Sequence, residues 1–250
     1  VNDHETYLFE GMWPIDQDGV AYNAYIINDD KVAVVDTVKS FKQGEYIEKI
    51  KSVIGDKKVD YLIVNHMEPD HSSSIADLLA VYPDMQIIGN KKTFPIMKNF
   101  YNIDKNILEV ADGDTLDLGH HELQFYMTPM VHWPESMVTY DATDKVLFSM
   151  DVFGSFGSTD GSIFDDENDV ASYEDNTRRY YACIVGKLSG QAQKALQKLG
   201  PLDIQTICSL HGPVLKENLG FYLEKYDKWS SYQPEESGVV IAYASVYGNT

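Results

Sequence analysis

Two histidines and two acidic residues lie within six positions of this chain, in the run His66-Met67-Glu68-Pro69-Asp70-His71. The apolar residues 59–64 before this run predict a buried strand, and Ser72-Ser73-Ser74 after it predict the cap of a helix over 75–79. A loop that leaves the end of a rigid strand presents its side chains from a fixed position. The pattern therefore indicates a metal site at the edge of a sheet.

Three other predicted strands also end in a histidine or an aspartate. His132 follows the strand ending at Thr128, Asp151 follows the strand 145–150, and His211 follows the strand 204–209. Any one such residue is more often an ordinary surface or capping residue, but strand ends can converge on one edge of a sandwich. Together they give seven candidate metal ligands: His66, Glu68, Asp70, His71, His132, Asp151 and His211.

Seven ligands are more than one tetrahedral zinc ion takes, so they favour two ions with one bridging carboxylate. The mixture of nitrogen and oxygen donors suits iron or manganese as well as zinc. The remaining histidines, His4, His120 and His121, do not follow a strand in this way. His120 and His121 come after residues 117–119 and are predicted to be solvated turn residues.

The charge of the chain limits its partners. It has 39 acidic and 20 basic residues and a formal net charge of −19, which argues against nucleic acid and anionic membranes. No apolar run approaches the ~20 residues of a membrane span. No signal peptide is visible, although the chain begins with Val1 and an upstream segment is expected. Cys183 and Cys208 are predicted to be free buried thiols, and such low cysteine use indicates a cytoplasmic protein.

Strand and helix signals alternate in a mixed order, which predicts an α/β fold. Residues 22–27 and 31–36 predict a hairpin around 28–30, and the interruption of one long helix is predicted near Gly186 to Gly190. Two packed sheets covered by helices, a four-layer αββα sandwich, accommodate this mixture. The other predicted strands are 86–89, 123–128, 136–141, 145–150 and 204–209, and the helices are 43–54, 91–100, 169–199 and 219–229.

A domain boundary is predicted near the end of the chain. Residues 232–238 are polar, contain Pro and Gly, and are typical of a linker, which leaves 1–231 as the first domain. Residues 239–244 predict a new buried strand that starts a second domain, 239–250. The strand is followed by Ser245, Val246, Tyr247, Gly248, Asn249 and Thr250, a pattern typical of the first phosphate-binding loop of a doubly wound domain. We expect the chain to be truncated there.

The chain resembles the flavodiiron proteins, or A-type flavoproteins, in which a metallo-β-lactamase-like domain is followed by a flavodoxin domain. Hydrolases of that superfamily usually carry His-x-His-x-Asp-His in the ligand loop, whereas this chain, like the flavodiiron proteins, has Glu68 at the second histidine. The runs 132–137, 147–154 and 209–213 resemble the later motifs of the family. Residues 245–250 resemble the start of its flavin-phosphate loop.

The resemblance implies a reductase with two iron ions. One iron would be bound by His66, Glu68 and His132, the second by Asp70, His71 and His211, with Asp151 bridging. The family reduces dioxygen to water or nitric oxide to nitrous oxide, with electrons that pass through FMN from rubredoxin or a similar small donor. It also implies a head-to-tail homodimer or a dimer of dimers.

Three further residues are candidates for catalysis by the same resemblance. Tyr180 and Tyr181 match a tyrosine pair of which one member lines the substrate pocket, and the sequence leaves open which. Glu10 stands where many relatives have a histidine, so it could alter substrate preference or proton delivery. A two-zinc hydrolase of the same fold and a non-catalytic electron-transfer or metal-binding module are the alternatives. Glu68 and the flavodoxin-like tail argue against the hydrolase.

Overall fold

Two five-stranded β-sheets packed face to face form the centre of the computed structural model, which describes residues 1–15, 18–167 and 170–249. In chain order the strands are β1 (Asn2–Asp3), β2 (Leu8–Phe9), β3 (Trp13–Pro14), β4 (Val20–Ala21), β5 (Tyr25–Asn28), β6 (Val32–Val35), β7 (Tyr61–Ile63), β8 (Gln86–Gly89), β9 (Ile107–Glu109), β10 (Thr115–Asp117), β11 (Glu122–Met127), β12 (Met137–Asp141), β13 (Val146–Met150) and β14 (Thr206–Ser209).

Helices cover the outer faces of both sheets. They are α1 (Gln43–Ile54), α2 (Pro69–Ser72), α3 (Ile75–Val81), α4 (Thr93–Tyr101), α5 (Val170–Tyr180), α6 (Ser189–Leu199) and α7 (Leu219–Ser230). Short 3₁₀ turns lie at Ser40–Lys42, Asp165–Glu167 and Gly186–Leu188, and a π-helical turn at Tyr181–Val185. The predicted long helix is therefore interrupted near Gly186, and its predicted first residue, Asp169, lies outside the described residues.

The first sheet has the order β5-β6-β7-β8-β9, and the second has the order β10-β11-β12-β13-β14. Strands β5 and β6 are antiparallel, and β6 to β9 run parallel to one another. In the second sheet only the β13–β14 pair is parallel. Two short pairs, β1–β4 and β2–β3, lie outside these sheets.

Strand β6 shows why four layers form. Its residues are apolar without interruption, so both faces of the strand must be covered. Ala33 and Val35 belong to the core between the sheets, together with Phe125 and Phe148 of the second sheet. Val32 and Val34 belong to a separate core that includes Ile50 of α1. The αββα sandwich predicted from the sequence is confirmed.

The three serines behind the histidine loop do not cap a helix through their side chains. Ser74 stands at the start of α3, but its hydroxyl donates to the carbonyl of Val38 at 2.7 Å. Ser72 lies within α2 and donates to the carbonyl of Met67 at 2.7 Å. Val38 and Met67 are buried, and the two hydroxyls satisfy their backbone carbonyls instead of the free N–H groups of the helix end. Ser74 therefore occupies the predicted N-cap position of α3, but the prediction that a serine side chain caps the helix is wrong.

Residues 239–244 do not form the buried strand predicted for them. The segment 239–249 is exposed and contains no strand, and Val240 is 95% exposed. A buried apolar strand needs neighbouring strands that hydrogen-bond to its backbone and other elements that cover its faces. No described strand lies beside residues 239–244. Thr250 lies outside the described residues. The division into domains at 231 and 239 stays a prediction.

Candidate metal centre

The loop that carries the histidines is held at its base by Asp36. This residue follows β6, and its Oδ1 accepts the backbone N–H groups of Asn65 at 2.8 Å and His66 at 3.1 Å. Burial raises the pKa of Asp36 to about 7, although those hydrogen bonds oppose the shift. The far end of the loop is also fixed, because Thr37 donates its hydroxyl to the carbonyl of His71 at 2.8 Å.

The first group of candidate ligands comprises His66, Glu68, His132 and Asp151, one atom of each lying within 4.8 Å of the others. Glu68 Oε2 lies 3.2 Å from His66 Nε2 and 3.0 Å from His132 Nε2. Asp151 Oδ2 lies 3.4 Å from His66 Nε2 and 2.9 Å from His132 Nε2. Two nitrogens and two oxygens thus face a common point.

The second group comprises Asp70, His71 and His211, all fully buried. Asp70 Oδ2 lies 3.2 Å from His71 Nε2 and 3.3 Å from His211 Nε2. The two imidazole Nε2 atoms are 2.9 Å apart. Two ring nitrogens this close cannot both present lone pairs, so the pair requires a proton or a cation between them.

Asp151 stands between the two groups. Its Oδ2 faces the first group, and its Oδ1 lies 3.5 Å from His71 Nε2 and 3.8 Å from His211 Nε2 in the second. This carboxylate lies directly beyond β13, beside the parallel strand β14 that leads to His211. The structure therefore brings all seven sequence-predicted residues together around one carboxylate.

The donor atoms fit metal ions. Among the described residues, both oxygens of Asp70 and Oδ1 of Asp151 are buried and receive no hydrogen bond. Buried carboxylate oxygens are rarely left without a partner. Four imidazole nitrogens and three carboxylates form the mixed nitrogen and oxygen set that iron, manganese and zinc accept. Two cations would satisfy the unpaired oxygens.

Comparison with known proteins identifies the family. A family model described as ODP family β-lactamase matches residues 20–212. The chain belongs to this family. It is similar to the crystal structure of a flavodiiron protein from Giardia intestinalis, with 34% identity and a TM-score of 0.89 over 93% of this chain and 57% of that one. The resemblance to flavodiiron proteins is thus confirmed.

Two other relatives bear names that state an activity. A nitric oxide reductase of Moorella thermoacetica is 35% identical over 93% of this chain and 58% of its own length. The structure of rubredoxin oxygen:oxidoreductase from Desulfovibrio gigas is 34% identical, with a TM-score of 0.89, over 93% of this chain and 59% of that one. The chain spans 40% of the length of a diflavin relative.

Glu135 orients one histidine of this candidate metal site, and sequence reasoning missed it. The residue is buried, and its Oε1 lies 3.1 Å from His66 Nδ1 and accepts the Met67 N–H at 2.9 Å. His211 Nδ1 similarly donates to the carbonyl of Ala21 at 2.8 Å. Such partners fix the tautomer that leaves Nε2 free for a metal. The sequence feature that could have pointed to Glu135 is its position between His132 and a buried strand.

Tyr180, and not Tyr181, lies at the metal centre. The Tyr180 ring packs against His211 with 5.4 Å between centroids, and its buried hydroxyl has no partner among the described residues. Burial raises the pKa of Tyr180 well above its ordinary value, so the hydroxyl stays protonated. The Tyr181 hydroxyl instead shares a hydrogen bond with Ser189 at 2.8 Å, and its ring packs against Trp229.

Glu10 lies at the edge of the centre in an ion pair. Its Oε1 is 3.3 Å from Lys39 Nζ, which also lies 3.4 Å from the Tyr22 hydroxyl. Burial raises the pKa of Glu10, and the negative charge of Asp70 raises it further. The Tyr22 ring in turn packs edge-on against His211. Glu10 is therefore linked to the centre through a lysine and a tyrosine.

The candidate flavin residues lie apart from this centre. Ser245, Val246, Tyr247, Gly248 and Asn249 are exposed and belong to neither ligand group, and Thr250 lies outside the described residues. Both cysteines are free, and Cys208 is the more buried of the two. No helix in the described part of the chain is long and apolar enough to cross a membrane.

Metal binding to this site is expected to tighten as the pH rises. Burial alone lowers the pKa of His132, but hydrogen bonds with Asp151 and Glu68 outweigh it and raise the pKa to about 9. The metal-free imidazole is therefore protonated at neutral pH, and an ion must displace that proton. We expect zinc affinity to rise at least about tenfold per pH unit between pH 6.5 and 8.5, because the pKa of His66 in the same ligand group is raised as well. Chelator competition at three pH values measures this, and a pH-independent affinity would contradict it.

Proposed function

We propose that this chain carries the active site of a diiron oxidoreductase that reduces dioxygen to water, nitric oxide to nitrous oxide, or both. The observation that supports this most strongly is the position of Asp151, whose two oxygens face two separate groups of ligands. A carboxylate in that position suits a pair of metal ions rather than one. Relatives named nitric oxide reductase and rubredoxin oxygen:oxidoreductase support the choice of substrates.

In this proposal His66, Glu68 and His132 would hold one iron ion, and Asp70, His71 and His211 would hold the other. Asp151 would be the ligand shared by both ions, and Glu135 keeps His66 in the required tautomer. When bound, the two iron ions supply the redox chemistry. The chain supplies apolar cover for two of the ligands, because Phe9 packs edge-on against His211 and Trp133 packs edge-on against His66.

The remaining elements of the proposal concern electron supply. Residues 245–250 would take part in FMN binding in the whole protein, and FMN would supply the route for electrons from rubredoxin or a similar small donor. The protein works in the cytoplasm as a head-to-tail homodimer or dimer of dimers. The strongly acidic composition supports a donor that presents basic groups, and it argues against nucleic acid or a membrane surface as partners.

The alternative is a binuclear zinc hydrolase. The donor set of nitrogens and oxygens also suits zinc, and a bridging hydroxide could attack an ester or amide. The full-length gene product from iron-replete cells tests both. We expect two iron ions and FMN per chain, and consumption of dioxygen, nitric oxide or both with a reduced small donor. A protein that holds two zinc ions, hydrolyses esters and reduces neither gas would contradict the proposal.

The hydroxyl of Tyr180 is expected to donate a hydrogen bond to the bound substrate. Tyr180→Phe should lower turnover in the full-length protein about tenfold, the worth of one hydrogen bond. The same change should leave the free energy of unfolding unchanged or raise it by about 1 kcal/mol, because the buried hydroxyl makes no hydrogen bond that the change would remove.

The matched control for this prediction is Tyr181→Phe. That change breaks the hydrogen bond with Ser189, so it should lower the stability by about 1 kcal/mol and leave turnover unaltered. Steady-state gas consumption and chemical denaturation measure the two quantities. If Tyr180→Phe keeps full turnover, Tyr180 only packs against the site.

A further inference from the structure

Three turns meet at the end of the sandwich opposite the metal centre and bring His121 among three aspartates. Asp29 lies in the β5–β6 turn of the first sheet, and His121 lies in the β10–β11 turn of the second. Asp141 is the last residue of β12, and Asp144 lies in the β12–β13 turn. Strand β13 runs from this cluster to Asp151, and its five residues span ~17 Å. The cluster is therefore separate from the proposed diiron site.

Asp29 fixes the tautomer of His121. Its Oδ2 lies 2.8 Å from His121 Nδ1 and also accepts the backbone N–H groups of His120 and His121 at 2.8 Å and 2.7 Å. Those hydrogen bonds, the one from the His121 backbone first, lower the pKa of Asp29, so the carboxylate is ionised and can only accept. Nδ1 must therefore carry the hydrogen.

The other ring nitrogen of His121 then faces two carboxylates. Its Nε2 lies 3.3 Å from Asp144 Oδ2 and 3.9 Å from Asp141 Oδ2. Asp141 is only 3% exposed. Its Oδ1 accepts the backbone N–H groups of Thr143 and Asp144, and its Oδ2 is the oxygen that lies toward His121 Nε2. A lone pair on Nε2 would repel both carboxylates, so this point requires a positive charge.

We propose that His121 Nε2, Asp141 Oδ2 and Asp144 Oδ2 bind a divalent metal ion of the zinc class. The three atoms lie within 4.8 Å of one another. Ligands of a tetrahedral zinc ion stand about 3.4 Å apart, given bond lengths of ~2.1 Å, and the two nitrogen–oxygen distances are close to that value. An imidazole ligand disfavours magnesium and calcium, which take oxygen donors.

The surroundings of the cluster support a metal site. A histidine that binds a metal with one ring nitrogen usually donates the N–H of the other to a carboxylate. Here the His121 Nδ1–H donates to Asp29. The Asp144 side chain is 62% exposed, so an ion can enter from solvent and keep water at its remaining positions. The ion would join turns from both sheets, and its role is structural rather than catalytic.

The test is a zinc titration of the iron-loaded protein, with the iron content measured before and after. We expect one zinc ion per chain beyond the iron, and its loss in His121→Ala. Asp144→Asn alters an exposed side chain that does not support the fold, and it should weaken the extra zinc at least tenfold. Asp29→Asn should weaken it about 10- to 100-fold, as changes to a carboxylate behind a ligand histidine do.

His120→Ala is the matched control, because His120 is the adjacent exposed histidine and belongs to no candidate ligand group among the described residues. It should keep the extra zinc. The proposal is overturned if the native chain binds no zinc beyond the iron pair, in which case a protonated His121 supplies the charge. It is equally overturned if Asp144→Asn retains full affinity for the extra zinc ion. This second test can be carried out even if His121→Ala fails to fold.

Discussion

Replacement of Asp151 by asparagine is expected to abolish gas reduction in the full-length protein and to leave at most one tightly bound iron per chain. Asp151 faces both ligand groups, with Oδ2 2.9 Å from His132 Nε2 and Oδ1 3.5 Å from His71 Nε2. An amide has a single oxygen to offer and carries no charge. We expect activity to fall at least about a thousandfold, equivalent to ~4 kcal/mol.

The matched control for this prediction is Asp165→Asn. Asp165 is also a buried aspartate, but its carboxylate accepts the backbone N–H groups of Lys216 and Glu217 and lies in neither ligand group. This variant should lose stability and keep two iron ions. Iron analysis and steady-state turnover distinguish the two variants. Two iron ions and activity within tenfold of the native value in Asp151→Asn would show that the bridge is not required.

Replacement of Glu68 by histidine should lower gas reduction about a hundredfold while two metal ions remain bound. Glu68 Oε2 lies between His66 and His132, so an imidazole can still donate to the same ion. The change removes one of three carboxylates, which help to hold an oxidised iron pair. It also moves the donor set toward that of zinc hydrolases. The account thus predicts a loss of redox activity without a loss of metal.

Glu48→His is the matched control, since Glu48 is an exposed residue of α1 outside the site. Metal content, gas consumption and ester hydrolysis of both variants are the measurements. Unchanged gas reduction in Glu68→His would show that this carboxylate is not part of the redox site. A loss of both metals would show that its role is in binding alone.

The architecture and the approximate place of the site followed from the sequence because both depend on local patterns. Continuous apolar runs such as Val32–Val35 require cover on two faces, which only a layered α/β fold provides. Polar residues that directly follow such strands must emerge at the sheet edge. That is why His132, Asp151 and His211 could be grouped before their distances were known.

The parts that the sequence did not reveal depend on contacts between distant segments. Glu135 acts through His66, 69 positions away. The choice between Tyr180 and Tyr181 depends on which way the helix faces, because successive helical residues point in different directions: the Tyr180 ring packs against His211 and the Tyr181 ring against Trp229. His121 was predicted to be solvated, yet it is half-buried and bonded to Asp29, because its turn folds against a turn of the other sheet.

The most direct test of the central claim is a crystal structure of the iron-loaded chain with anomalous scattering measured at the iron edge. The account predicts two iron peaks ~3.5–4 Å apart, the usual spacing of paired metal ions. The two oxygens of Asp151 should bind one ion each. The first ion should also be bound by His66, Glu68 and His132, and the second by Asp70, His71 and His211. A single peak, or two peaks of which only one contacts Asp151, would contradict the account.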